Sequence, residues 1–197
     1  MPASQSPRFG GEGAATVPRR ALLALLLCSP ALAQTPDRKT QLETLLNALK
    51  AAPTEEAAAA LETQLRTLWA EASSPVLRLL LIRATRELNE SAPNDAADSF
   101  DAALDLDPDL LEGWRGRAQA RLRLGDPTGA VRDIQEVLRR EPRYFPALQD
   151  LSRLAESRND WRGALAAWQK LLELNPRTPG GQNRLRDLRR RALGEEL

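Results

Sequence analysis

Apolar, small and proline residues recur along this chain with a period of 34 residues. Three segments, 77–110, 111–144 and 145–178, align on that period and follow one another without a gap. In each segment the fourth position is bulky, the eighth and twentieth are small, the twenty-fourth is bulky and the thirty-second is proline. This spacing predicts two helices joined by a turn, with the second helix ending before the proline, which has no backbone N–H to donate.

Each matched position has a physical role in such a helix pair. Small residues at the eighth and twentieth positions let the two helices approach closely, and the large residues fill the space around that contact. Asp126 followed by Pro127 predicts an N-cap and a first helical residue, and Asp160 is expected to cap the next such helix. The matched residues are Leu80, Trp114 and Leu148; Ala84, Ala118 and Ser152; Ala96, Ala130 and Ala164; Phe100, Ile134 and Trp168; Ala103, Val137 and Leu171; and Pro108, Pro142 and Pro176.

The pattern, with the turns Gly125-Asp126-Pro127 and Asn159-Asp160-Trp161, resembles the tetratricopeptide repeat, whose period is also about 34 residues. The resemblance covers about half of the chain. It implies an all-α, right-handed α-solenoid, and a function in binding proteins rather than in catalysis. Since one repeat cannot bury its apolar face alone, the three repeats are expected to stack.

Two helical segments flank the repeats. The first, 37–74, reads as a helical hairpin: leucines at i, i+3, i+4 and i+7 from Leu42 form one apolar stripe, Pro53 interrupts it and Thr54 is placed to cap a second helix. This hairpin lacks the small positions of the repeats, so we interpret it as a divergent repeat or an N-terminal cap. The second, 179–197, contains a predicted capping helix at 182–193, with leucines facing the repeats and arginines facing solvent, and then a tail.

The first 33 residues have the order of a secretory signal peptide. Arg19 and Arg20 precede the apolar run 21–28, and the sequence Ala-Leu-Ala at 31–33 predicts cleavage after Ala33. The stretch before Val17 is Gly-rich and polar, unlike the start of a signal, which suggests the alternative that translation begins at Val17. The sequence therefore predicts a bacterial protein that is exported to the periplasm or secreted.

Two membrane alternatives are weaker. An uncleaved anchor would need roughly 18 apolar residues, and the run 21–28 has eight. Lipidation at Cys28 would need a small residue before it, where Leu27 stands. We therefore expect no stable membrane insertion after cleavage.

The composition argues against catalysis. The chain has no histidine, and its one cysteine, Cys28, lies in the predicted leader. A Ser–His pair, a thiolate nucleophile and a His/Cys metal site are therefore not expected. The acidic run 101–109 is interpreted as a solvated helix face and a turn, because Pro108 without a nearby glycine does not fit a calcium loop. The sequence predicts no enzyme activity, no cofactor and no metal.

The resemblance also implies where a partner binds. In tetratricopeptide arrays, positions 2, 5, 6, 9, 12 and 13 of each repeat face the concave groove. Arginines at these positions present planar forks suited to carboxylates or phosphates, and Leu81, Ile82 and Leu122 leave apolar spots. The predicted binding residues are Arg78, Thr85, Asn89, Glu112, Arg115, Gln119, Arg123, Gln149, Asp150, Arg153 and Glu156.

Other readings of these residues stay open. Glu112, Asp150 and Glu156 are alternatively partners of the arginines within the protein, and exposed arginines are often simply solvated. The family's carboxylate clamp for chaperone C-termini, built from Lys or Asn, is missing: its slots hold Leu81, Thr85, Gly116 and Pro146.

The leading prediction is thus a non-catalytic scaffold that binds a peptide or protein partner of unknown identity in its groove. The alternative is a structural or self-associating helical module, so the oligomeric state stays open. Nucleic-acid binding ranks third and is not expected, because loss of the leader with its three arginines and one glutamate changes the net charge from +1 to −1.

Overall fold

The computed structural model describes residues 37–71 and 74–194. The predicted leader at 1–33 and the last residues of the predicted tail lie outside the described residues. The described part is all-helical and contains no strand, as the sequence predicts. Its helices are α1 (Arg38–Lys50), α2 (Glu55–Ala70), α3 (Pro75–Asn89), α4 (Pro93–Leu106), α5 (Leu111–Arg123), α6 (Pro127–Arg140), α7 (Phe145–Ser157), α8 (Trp161–Leu174) and α9 (Gly181–Leu193).

The three repeats form the helix pairs α3–α4, α5–α6 and α7–α8. The small positions lie where each pair touches: Ala84, Ala118 and Ser152 are all at most 1% exposed. The serine at this position satisfies its hydroxyl by donating to the carbonyl of Ala164 at 3.1 Å. Close approach of two helices at small residues, with bulky residues around them, explains why the sequence period becomes a stack.

The ends of the helices follow the same period. Residues 91, 125 and 159, which are 34 apart, each adopt a left-handed backbone conformation in the turn between the two helices of a repeat. Asp126 and Asp160 accept hydrogen bonds from the backbone N–H groups of Gly129 and Gly163 at 2.8 and 2.9 Å, so both predicted N-caps are confirmed. The second helix of each repeat ends two residues before its proline, also as predicted.

The N-terminal hairpin α1–α2 packs along the repeats instead of continuing their stack. Its helices contact α5 and α8, and no comparable contact joins the hairpin to α3 within the described residues. Aromatic rings form one of these contacts: the ring of Trp69 lies 4.6 Å from that of Tyr144 and 5.4 Å from that of Phe145, centroid to centroid. Both of these partners lie at the junction between the second and third repeats.

Polar contacts fix the hairpin at the same edge of the stack. Nη1 of Arg143 donates to both carboxylate oxygens of Glu43 at 3.0 and 2.9 Å, and this hydrogen bonding lowers the pKa of Glu43. Asn175, which is fully buried at the end of α8, donates to Glu62 at 2.6 Å. The middle of α2 therefore lies beside the end of the third repeat, and its C-terminal end lies beside the first two repeats.

Helix α9 packs on α8 at the other end of the stack. Leu188 is 3% exposed, and the indole N–H of Trp168 donates to the carbonyl of Gly181 at 2.9 Å. The predicted capping helix at 182–193 is thus present and begins one residue earlier. Across 37–71 and 74–194, no helix is long and apolar enough to span a bilayer.

Candidate functional site

A cavity of about 690 Å³ lies between α3 and α5, the first helices of the first two repeats. We call it the central cavity. Arg66 and Ala70, from the last turn of α2, lie at its edge. The hairpin therefore completes one wall of a site whose other walls come from the repeats.

The floor of the central cavity is apolar. Leu88 and Phe100 line it and are 4% and 2% exposed, while Ile82 projects from α3 and is 58% exposed. Gly116 allows the ring of Phe100 to reach the floor, because a Cβ atom at that position would lie 2.2 Å from two ring carbons. The small residue at this position of α5 is therefore required by the packing of the second helix of the first repeat against it.

The charges around the central cavity are unequal. Five arginines line it, at positions 66, 78, 86, 115 and 123, against one carboxylate, Glu112. The side chain of Arg78 has no ion pair or hydrogen bond to any residue in the described ranges. Arg123 donates to the backbone carbonyl of Leu88, which leaves its charge uncompensated. The cavity is thus an apolar floor under a cationic rim.

Arg115 is held in place at the centre of this rim. Its Nε donates to Asp150 at 2.7 Å, and its Nη1 lies 3.6 Å from a carboxylate oxygen of Glu112. The buried hydroxyl of Tyr144 donates to the same glutamate. Burial disfavours the charge on Arg115, but the two carboxylates outweigh it and raise the pKa of the guanidinium, while burial and then Glu112 raise the pKa of Tyr144. The arginine therefore stays charged and immobilised.

The predicted binding residues separate into two groups. Those of the first two repeats, Arg78, Thr85, Asn89, Glu112, Arg115, Gln119 and Arg123, all line the central cavity. Those of the third repeat do not: Gln149 is half-buried elsewhere, and Asp150 serves as the ion-pair partner of Arg115. The side chain of Arg153 is 63% exposed, 3.5 Å from Asp150. The structure brings together a site two repeats long.

Glu156 has its partner outside the central cavity. Its carboxylate accepts a hydrogen bond from Arg184 of α9, so the C-terminal helix takes up this end of α7. The alternative interpretation, in which the acids pair with groove arginines, holds for Glu112 and Asp150, which both contact Arg115. It does not hold for Glu156, whose arginine partner comes from α9.

Sequence reasoning missed Arg66, Ala70, Arg86 and Phe100 as lining residues. Phe100 is one of the matched core positions, and its contact with the cavity follows only from the glycine opposite it. Arg66 and Ala70 lie on α2, and no local pattern in the hairpin indicates that its last turn reaches the repeats.

A second cavity, of about 570 Å³, lies between α1 and the junctions before α5 and α7. Its charges are close to balanced, and several are already engaged: Arg140 lies 3.2 Å from Asp109, and Arg38 donates to the carbonyl of Leu68 at 2.9 Å. No cluster of acidic residues within the described ranges has the geometry to hold a metal ion. The central cavity is therefore the better candidate.

Comparison with known proteins agrees with this architecture. No protein-family model matches the chain. The chain is similar to a TPR (tetratricopeptide repeat) repeat-containing protein of Rhizobium etli, with 28% identity over 156 residues that cover 79% of this chain and 76% of that protein. The chain is thus similar to a TPR protein over most of the length of both chains.

Two solved structures have a similar fold. One is the first TPR domain of the human RPAP3 protein, with 19% identity, a TM-score of 0.55 and coverage of 60% of this chain and 94% of that chain. The other is the first TPR of Spaghetti (RPAP3) bound to the HSP90 peptide SRMEEVD, with 21% identity, a TM-score of 0.56 and coverage of 63% of this chain and all of that chain. At these identities the likeness shows the fold, which is that of a TPR solenoid.

Proposed function

We propose that this chain, a TPR-type solenoid, is a non-catalytic scaffold that binds a segment of a partner protein in the central cavity. The observation that carries the proposal is the combination of an apolar floor with a cationic rim on the first helices of two stacked repeats. That a TPR of the same fold binds the HSP90 peptide SRMEEVD supports a peptide as the ligand.

The chemistry of the cavity selects the kind of segment. Guanidinium groups at Arg78 and Arg123 suit carboxylates, which they bind through two parallel N–H donors. The floor at Leu88 and Phe100 suits one bulky apolar side chain. We therefore expect an acidic segment with an apolar anchor, and the affinity to be modest because a site of two repeats buries little area.

The slots of the family's chaperone clamp hold Leu81, Thr85, Gly116 and Pro146, so the HSP90 peptide itself is not the expected ligand. Gly116 and Pro146 are buried and have no side-chain donor. The ligand of this chain is instead read by the arginine rim described above.

The predicted leader supports a bacterial envelope location for this function. Arg19, Arg20 and the apolar run that follows them are the features on which this part of the proposal rests. Cell fractionation with N-terminal sequencing tests it: we expect periplasmic protein that begins at Gln34, whereas cytoplasmic protein that begins at Met1 or Val17 contradicts it.

The groove is tested by photo-crosslinking in cells from a benzophenone residue at Gln119, which lines the central cavity. We expect a defined partner band whose intensity falls about tenfold with Arg78→Glu, since reversing a rim charge weakens an acidic ligand by at least about 1.4 kcal/mol. The side chain of Arg78 has no hydrogen bond or ion pair within the described residues, so we expect the circular dichroism spectrum of the variant to stay unchanged.

Arg132→Glu is the matched control. Arg132 is exposed on α6, outside the cavity, and carries the same charge change. A band that weakens equally with both variants indicates a general charge effect, and a band that survives Arg78→Glu rejects the groove as the binding site.

A further inference from the structure

Helix α3 exposes an apolar stripe at the end of the stack. Val76, Leu79 and Ile82 are 56%, 66% and 58% exposed, and Arg83 and Arg86 lie beside them on the same face. We call these five residues the α3 end face. Leu79 and Val76 do not line the central cavity, so most of this face is separate from the groove.

The equivalent positions in the second and third repeats, 34 and 68 residues later, show how this face is used elsewhere in the solenoid. The residues that correspond to Val76 and Leu79 in the second repeat are Leu110 and Gly113, both buried; those in the third repeat are Tyr144 and Ala147, both fully buried. The counterparts of Arg86 are Ala120 and Leu154, at 0% and 4% exposure, so every repeat except the first covers this part of the face.

The helix that covers the face in the second repeat is α4, the second helix of the repeat before it. Cβ atoms placed on Gly113 and Gly116 would meet Leu104 at 2.9 Å and Phe100 at 2.2 Å. Among the described residues no such helix precedes the first repeat, because the N-terminal hairpin packs against α5 and α8. The α3 end face is therefore the open continuation of an interface that the rest of the solenoid uses.

Arg83, a charged residue of the α3 end face, can also be compared with its counterpart in the second repeat. Arg117, the counterpart of Arg83, reaches across the repeat boundary and forms an ion pair with Asp101 of α4. In the part of the chain that the structure describes, no helix of a preceding repeat lies within reach of Arg83. Its side chain is 61% exposed and pairs along its own helix with Glu87 at 2.7 Å. An arginine is thus placed where its counterpart binds the carboxylate of the covering helix.

We propose that the α3 end face binds an amphipathic helix of a partner protein, which continues the stack in the place of a preceding repeat. The sizes of the side chains fix its pattern. Leu79 and Ile82 stand where α5 has glycines, so the partner helix presents small residues where α4 presents Phe100 and Leu104. A carboxylate one residue after the first of these small positions faces Arg83, as Asp101 follows Phe100 in α4.

A peptide derived from α4 is the probe. Residues 93–109 are synthesised with Phe100→Ala and Leu104→Ala, labelled with fluorescein and stapled between positions 98 and 102, which are exposed in α4. The staple is needed because isolated helices of this length are marginal in water. Fluorescence anisotropy of this peptide is measured against the full chain and its variants.

We expect saturable binding that Leu79→Asp weakens at least about tenfold, since an apolar contact is lost and a carboxylate is buried. Leu106→Asp, at an exposed leucine of α4 with nearly the same exposure of 61%, leaves the affinity unchanged. The Arg83→Glu protein is expected to bind this peptide more weakly than the wild type does. A second peptide that carries Asp101→Lys is expected to bind the Arg83→Glu protein with the original affinity, which isolates the contact between these two positions.

Three results overturn the proposal: no saturable binding at millimolar protein, equal binding to the Leu79→Asp variant, or failure of the charge exchange to restore affinity. A fourth result that would overturn the proposal comes from sedimentation velocity of the chain alone. A dimer that Leu79→Asp dissociates and Leu106→Asp does not shows that a second copy of this chain covers the face, and not a partner helix.

Discussion

Trp69→Ala removes the largest side chain by which the N-terminal hairpin contacts the repeats. Trp69 is 4% exposed and packs against both Tyr144 and Phe145. Truncating a buried tryptophan to alanine typically destabilises a protein by about 3–5 kcal/mol, part of which is the loss of favourable aromatic pairs. The expected loss is a large fraction of the total stability of a domain, which is about 5–15 kcal/mol. We expect the hairpin to unfold before the repeats do.

Trp69→Phe separates the ring contact from the polar atom. The indole N–H of Trp69 is buried and has no hydrogen-bond partner among the described protein atoms. A buried donor without a partner costs roughly 1–3 kcal/mol. The stability gained by removing this donor therefore offsets most of the stability lost with the smaller apolar area of phenylalanine. We expect Trp69→Phe to change the free energy of unfolding by less than about 1 kcal/mol.

Urea unfolding followed by far-ultraviolet circular dichroism measures both variants, because the three other tryptophans complicate fluorescence. Hydrogen exchange with mass spectrometry then locates the loss. We expect faster exchange in α1 and α2 of the Trp69→Ala protein before any change in α7. An unchanged midpoint with unchanged exchange in both hairpin helices refutes the packing of α2 against the repeat junction, and a Trp69→Phe variant as unstable as Trp69→Ala refutes the unpaired N–H.

Three further variants test the repeats. Gly116→Ala places a methyl group within 2.2 Å of the Phe100 ring, so we expect a loss of about 1–3 kcal/mol that Phe100→Leu partly reverses in the double variant; a neutral Gly116→Ala contradicts this. Asp126→Ala removes the N-cap of α6 and is expected to cost about 0.5–2 kcal/mol, whereas Asp126→Asn retains most of the stability; equal losses exclude capping. Hydrogen bonds from Ser99 and then Arg83 lower the pKa of Glu87 below its usual 4.5, so its contribution is complete above the unfolded pKa and is lost as pH falls through the folded one. Glu87→Gln is therefore expected to be less stable than the wild type at pH 7 and to approach it in acid; a gap that does not narrow is the contrary result.

Much of the repeat architecture was predictable from the sequence because its determinants are local. The caps Asp126 and Asp160, the proline stops and the small residues at Ala84 and Ala118 act within a single repeat, and the 34-residue period shows them three times over. The predicted groove residues of the first two repeats line one cavity for the same reason: position within a repeat fixes the face on which a side chain lies.

The third repeat and the hairpin were not predictable in this way. Gln149, Asp150 and Arg153 occupy the repeat positions of Arg115, Gly116 and Gln119, which line the central cavity, yet neither they nor Glu156 lines it. Asp150 pairs instead with Arg115, 35 residues earlier, and Glu156 with Arg184, 28 residues later. A position in a repeat gives the direction of a side chain but not which neighbour reaches it.

The sequence by itself thus determined the helices, their caps and their order in the stack, because these follow from interactions within about one repeat length. Only the tertiary structure decided where the hairpin lies. Its sequence leaves open a divergent repeat or an N-terminal cap, and its contacts join residues far apart, with Glu43 and Arg143 separated by 100 positions and Glu62 and Asn175 by 113. Such contacts depend on chain paths that no local pattern encodes, and they close one wall of the cavity and leave the α3 end face open.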